Sequence, residues 1–226
     1  LGKDFVRYLD PVVEMVLDVL ASTDGVSDDN ASNPLHSLTT LDDDDLDENQ
    51  EYTGTLTSLN FTVGSAYVDE KHQSLHALGM VAKMVGAAFV PYIERCTNAL
   101  RPVLRYIHPQ IRKFAVFPME CFISSLNDAY PDNHAAWKPG QPIDQFPVAE
   151  PTMKLVDFLA QHVISCIPND FDMAVVARYL TSLKTIAKEL GPPGIEPYVA
   201  QSLHLVRMVL QGKTMSQEVE DVDDHV

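Results

Sequence analysis

Apolar residues recur along this chain at three- and four-residue steps, in blocks that predict helices arranged in pairs. From 5 to 20 the stripe is Phe5, Leu9, Val12, Val16 and Val19 or Leu20, an amphipathic helix that tolerates Pro11 if it bends there. The pattern then vanishes into Ser, Asp, Asn and Gly from 21 to 52, a loop of about 30 residues and far longer than a helix-to-helix connection needs. The Thr-rich stretch 53–66 has strand-like composition, but no partner strand shows anywhere in the chain, so an extended return segment is expected.

Helical periodicity resumes at 67. Leu75, Leu78, Ala82 and Val85 share one face, Asp69 and Glu70 suit a first turn, and Gly86 suits a stop. Phe89, Ile93, Cys96, Leu100, Val103 and Ile107 continue on a second helix, so the two predict an antiparallel hairpin. A second hairpin pairs a helix opened by Pro109, with Ile111, Ala115 and Phe122 inward, with one carrying Val156, Leu159, Val163 and Ile167. Between them lies a Pro-rich irregular insertion, 129–148. The third hairpin joins Val176, Leu180, Leu183, Ala187 and Leu190 to Ile195, Val199, Val206 and Leu210 through the turn Gly191-Pro192-Pro193-Gly194.

Superposing Leu78 on Met119 gives a period of 41 residues, within the range of two-helix repeats, and Leu183 comes later because of the insertion. Each hairpin is apolar on more sides than its own partner covers, so neighbours must stack. The expected fold is all-α, an α-solenoid of stacked antiparallel helical hairpins of the HEAT type, with a plain helical bundle as the alternative. The expected organisation is the end of a preceding repeat at 1–22, an acidic loop and return segment at 23–66, repeats at 67–107, 108–168 and 169–214, and an acidic break at 215–226.

Charge changes the picture at one place above all. Asp42, Asp43, Asp44, Asp45, Asp47, Glu48 and Glu51 crowd into 41–52 without a Lys or Arg, a density that resists desolvation and keeps the run in solvent. The whole chain has 32 Asp and Glu against 16 Lys and Arg, a formal charge of -16, which disfavours nucleic acid and anionic membranes as direct partners and favours a basic protein. No apolar run of membrane-spanning length stands out, and no signal sequence opens the chain. Cys96, Cys121 and Cys166 are odd in number and set in apolar helical patterns, as reduced core thiols of a cytosolic or nuclear protein are. The chain begins at Leu1 and stops inside a second acidic run, as a piece of something longer does.

Candidate chemistry is thin. His72 and His76 stand one helical turn apart, a metal-ligand spacing, yet no third ligand matches them, and solvated surface histidines are expected. Glu120 and Cys121 with the distant His134 or His162 could be drawn as a thiol site, but an apolar pattern around the cysteine favours a buried structural residue. No phosphate-binding loop, dinucleotide fingerprint or nucleophile elbow is present, so no cofactor and no catalysis are expected. Arg112 and Lys113 near a helix start suit an inter-repeat polar contact, to an acidic residue or a free carbonyl next door. Trp137 in the insertion is expected to pack that loop down.

The order of these elements resembles the importin-beta superfamily of nuclear transport receptors. It is most similar to a branch in which an acidic loop precedes a helix bearing Asp69-Glu70-Lys71 and Ala77-Leu78-Gly79, then Phe89, Pro91, Tyr92 and Glu94, then a repeat opened by Pro109, Arg112 and Lys113. The ending LHLVRMVLQGKTMSQEVEDVDD resembles that branch's helix and acidic break. Pro118 departs from the pattern and should bend its helix, and the acidic loop is short and Asp-rich. The resemblance implies a non-catalytic import receptor shuttling between cytoplasm and nucleus. Its implied partners are basic cargo such as histones and ribosomal proteins, nucleoporins, and Ran-GTP acting on the full-length receptor. It further implies that Glu94, Glu150 and Asp157 face the concave surface, with the acidic run contacting cargo or Ran. A HEAT scaffold for complex assembly, without transport, is the alternative.

Overall fold

A computed structural model describes residues 2–22, 26–28, 52–56, 59–63, 65–130, 140–142 and 146–217. Helices dominate. They are α1 (Gly2–Phe5), α2 (Leu9–Ala21), α3 (Ser65–Val85), α4 (Val90–Val103), α5 (Pro109–Ala129), α6 (Glu150–Cys166), α7 (Met173–Leu190), α8 (Pro192–Ile195) and α9 (Val199–Leu210). Short 3-10 segments, Val6–Tyr8, Gly86–Phe89 and Glu196–Tyr198, precede α2, α4 and α9.

Two layers form. In one, α3, α5 and α7 stack in parallel, each packed on the next; in the other, α2 lies beside α4 and α6 beside α9. The chain crosses between layers at each hairpin. Gly86, in the left-handed conformation at φ 56°, stops α3, and the chain comes back so that the Tyr106 hydroxyl, just past α4, donates to the Tyr67 hydroxyl at the start of α3, 3.1 Å away. The all-α solenoid expected from the periodicity is therefore the fold. The most extensive backbone packing of α3, however, is against α5 of the following hairpin rather than its own partner α4. Gly79 permits this: a Cβ there would stand 2.5 Å from the Phe117 ring and 3.2 Å from the Pro118 backbone.

The core runs continuously from Leu9 to Leu205, with Leu75, Leu78, Phe89, Leu100, Ile111, Met119, Phe122, Leu159 and Tyr179 among its fully buried side chains. Several expected faces are rotated. On α2 the buried stripe is Leu9, Val13, Val16, Leu17 and Leu20, with Val12 only partly covered. Pro11 needs no bend because a 3-10 turn precedes α2 and Pro11 stands in its first turn, where amide hydrogens lack intrahelical acceptors. On α3 the helix begins at Ser65, so Asp69 and Glu70 fall in its second turn, not its first. On α9 the expected inward residues Val199, Val206 and Leu210 are exposed, the last at 80%, and Leu205 faces the core instead. This helix carries two apolar stripes, and periodicity does not say which one meets the neighbour that is there. Pro118 lies within α5, which remains helical on both sides of it.

The return segment is more than extended chain. Strands β1 (Val26–Asp28), β2 (Tyr52–Leu56) and β3 (Leu59–Val63) form an antiparallel sheet in the order β1-β3-β2, with Thr55 opposite Asn60 and Val26 opposite Val63. The partner strands overturn the expected lack of pairing: β2 lies two residues before β3, the spacing of a tight hairpin, and β1 comes from 26–28, just past α2. The sheet is an insertion between α2 and α3 and leaves the helical stack all-α.

Two further expectations change. The segment Ser65–Val103 does hold a window long and apolar enough to cross a membrane by length and composition. It is broken at Gly86, and its apolar residues Leu75, Leu78, Ala82, Phe89 and Ile93 are core. Residues 215–217, expected in the acidic break 215–226, pack back with Thr214: Thr214 and Ser216 are buried, and the Met215 amide donates to the Pro168 carbonyl at 3.2 Å.

Candidate interaction surface

The repeat register is written in buried polar residues. Lys71 on α3 is 3% exposed, and its ammonium donates to the carbonyls of Val19, Leu20 and Ser22 at 2.6, 2.7 and 2.7 Å, closing the C-terminal end of α2. The Tyr67 hydroxyl adds a fourth bond, to Ser22 at 3.2 Å. One period of 41 residues later, Arg112 on α5 binds the connection that follows α4, donating through Nη1 to the carbonyls of Tyr106, at 2.9 Å, and Ile107. Its remaining nitrogens fork onto the buried carboxylate of Asp170 at 3.0 and 2.9 Å, and Asp170 in turn accepts the Asp172 amide at 3.0 Å. Arg112 thus bonds both an acidic residue and free carbonyls, the two contacts its position suggested. Lys113 turns to the Phe114 ring, 5.5 Å from its centroid.

Between α5 and α7 the Ser124 hydroxyl donates to Glu189 at 2.8 Å, and the Glu120 carboxylate is held by Arg178 at 2.8 Å and by the Ser182 hydroxyl. Between α3 and α5 the Ser125 hydroxyl donates to the Ala82 carbonyl at 3.1 Å, and two imidazoles pack on rings. His72 stacks on Phe114 at 3.5 Å and His76 on Phe117 at 5.4 Å, so the pair with metal-ligand spacing packs against two rings one helix away. Burial, and then His76 beside it, hold His72 below the usual histidine range. Among the described residues no cluster of three or more His, Cys, Asp or Glu is placed to hold a metal.

The drawn thiol site does not assemble. Glu120 belongs to Arg178, and burial pushes the Cys121 thiol up to about 12; Cys96 is raised to about 12 for the same reason. His134 and Trp137 lie outside the described residues. His162 has a different cysteine, Cys166 one turn on, with Sγ 3.8 Å from Nδ1. Burial first, then Arg105, lowers His162 to about 4, and burial raises Cys166, so the pair is neutral near pH 7 and is no thiolate-imidazolium couple. The i, i+4 spacing of 162 and 166 was the available signal for this contact.

The acidic run from Asp42 to Glu51 lies outside the described residues. The three further carboxylates are on the second layer, at different stations. Glu94 is exposed on α4; Glu150 is exposed and paired within α6 to Lys154 at 2.7 Å; Asp157 is half-buried and accepts the Tyr198 hydroxyl that starts α9. Asp157 is thereby a joint between helices, and the structure does not bring the three together.

Between α4 and α6 the second layer opens into a groove of about 630 Å³, lined by Arg101, Pro102, Arg105, Phe158, Gln161 and His162 among others. The Arg101 guanidinium lies 4.4 Å above the Phe158 ring.

Stacked hairpins, buried cationic caps at the repeat period and long open faces define the class as an α-solenoid, a fold that presents surface for other macromolecules. Over 163 residues, 71% of this chain, the sequence is 23% identical to importin-4 of Mus musculus, whose name places it in the branch that the motif order resembles. The chain spans about 14% of the length of that curated relative. No family model matches the chain.

Proposed function

We propose that this chain is a non-catalytic segment of a nuclear import receptor and that its acidic run, Asp42, Asp43, Asp44, Asp45, Asp47, Glu48 and Glu51, holds Lys- and Arg-rich cargo. Histones and ribosomal proteins are the cargo classes, Ran-GTP acting on the full-length receptor is the release signal, and nucleoporins carry the receptor between cytoplasm and nucleus. The observation that carries this reading is the similarity to importin-4 over 71% of the chain. The charge of -16 supports it, because a basic segment meets several carboxylates at once. One exposed pair contributes about 0 to 1 kcal/mol, so affinity must come from many together and fall steeply with salt.

The test is fluorescence anisotropy with a labelled histone-tail peptide, over a salt series, on the chain and on a variant with the seven carboxylates changed to Asn or Gln. Neutralisation is expected to weaken binding at least tenfold and to flatten the salt dependence. An unchanged affinity and slope reject the cargo role of the run. In parallel, a full-length receptor whose cargo is not displaced by Ran-GTP would point to a scaffold that assembles complexes without transport.

A further inference from the structure

The groove between α4 and α6 runs against the charge of the molecule around it. Arg101 in the last turn of α4 and Arg105 in the turn just past its end both line the groove and are exposed, and neither makes an ion pair among the described residues. Arg101 is held in place by its Nε bond to Asn98 Oδ1 at 3.3 Å and by the Phe158 ring beneath it. The carboxylate nearest in sequence on the opposite helix, Asp157, is engaged by Tyr198. Phe158 and Pro102 supply apolar wall, and the exposed amide of Gln161 supplies a donor and an acceptor beside it. The floor is neutral: burial first, then Arg105, lowers His162 to about 4, so it stays uncharged near pH 7. Two guanidiniums over an apolar wall, in a chain of charge -16, are placed for a ligand opposite in sign to the cargo proposed above.

Spacing narrows the ligand. From Arg101 to Arg105 the chain runs out of the last turn of α4 into a tighter turn, where the Arg105 amide donates to the Pro102 carbonyl at 3.1 Å, and a helical course of four residues rises about 6 Å; side chains at i and i+2 of an extended peptide project on one side about 6.7 Å apart. Carboxylates at i and i+2 therefore meet the two guanidiniums in register, each able to take a forked pair of hydrogen bonds. Carboxylates on adjacent residues point to opposite sides and do not. At cellular ionic strength charges beyond about 8 Å are screened, so the two arginines rather than the distant net charge decide what the groove attracts. We propose that the α4–α6 groove is a docking site for an extended acidic segment of a partner protein, of the form Asp/Glu-X-Asp/Glu with an apolar residue next to it for Phe158. This reading is independent of the cargo role of the acidic run and can fail without it.

The experiment is fluorescence polarisation with the 226-residue chain and a fluorescein-labelled ten-residue peptide carrying Glu-Ala-Glu-Leu. Comparison peptides carry the two Glu side by side, or Gln-Ala-Gln-Leu. The first peptide is expected to bind at least tenfold more tightly than either comparison. The double variant R101Q/R105Q is expected to lose at least tenfold, and R101K/R105K to lose less, because charge is kept while the fork is lost. Both arginines are exposed, so the variants should keep the wild-type melting temperature; independently, a spin-labelled peptide should broaden the Phe158 ring resonances of the unmodified chain. Equal affinity for the two Glu spacings, binding undiminished in R101Q/R105Q, or no binding at millimolar chain overturns the proposal. A phosphopeptide that binds where the carboxylate peptide does not overturns it as well.

Discussion

Lys71 shows how much one side chain contributes to a repeat. Its stem is buried and its ammonium is spent on three carbonyls of another helix, so K71M keeps the volume and strands those acceptors. Hydrogen bonds to charged groups are worth about 1.5–3 kcal/mol each and do not add, so a loss of about 2–4 kcal/mol is expected in urea unfolding. R112M should cost more, about 3–5 kcal/mol, because it leaves the Asp170 carboxylate buried without its cation. Adding D170N to R112M should recover part of that loss, which a double-mutant cycle measures. His162 sets a pH limit of its own. With its folded value lowered to about 4 from about 6.5, the unfolded chain binds more protons in between. Stability is therefore full above about pH 6.5 and is lost as pH falls toward 4, by about 2–4 kcal/mol in all. Burial lowers His72 and His108 too, so they act in the same direction. H162Q is expected to flatten the fall in stability between pH 7 and 5 in urea titrations.

At the scale of the element, the α3–α5 contact is decided by competition between propensity and space. Alanine is favoured over glycine in a helix interior by about 1 kcal/mol, yet the Gly79 Cβ would overlap Phe117 and crowd the Pro118 backbone. Overpacking of this kind costs about 1–3 kcal/mol. G79A is expected to be net destabilising by up to about 2 kcal/mol, and G79A/F117L to be nearer wild type, as thermal melts of the two variants would show. The opposite ranking would mean that the helices separate without cost. The same contact sets the surroundings of His72 and His76: close approach at Gly79 brings Phe114 and Phe117 against both imidazoles.

Across the whole molecule, charge and fold are arranged separately. Buried cations tie the two layers together at Lys71 and Arg112, and Arg178 ties α7 to α5 within one layer. Salt should therefore act on the two properties unequally. Raising NaCl from about 0.05 to 0.5 M shortens the Debye length several-fold and is expected to abolish binding of a histone-tail peptide. The same change should barely move the urea midpoint, because the ties are buried.

The period of 3.6, the spacing of 41 between Leu78 and Met119 and the acidic block made the stacked helical hairpins legible, because each is a local property of neighbouring residues along the chain. The same spacing joins Lys71 to Arg112: the position of Arg112 near a helix start suggested its contacts, whereas the role of Lys71 in closing the end of α2 emerges only where one helix end approaches the next. Periodicity likewise displays both apolar stripes of α9, and packing against α6 selects Leu205. The β2–β3 pairing and the Arg101–Phe158 groove were hidden for a related reason. A strand needs a partner and a groove needs two walls, and which residues face each other across a gap is set by the fold, where contacts far apart in sequence repay the entropy of bringing them together.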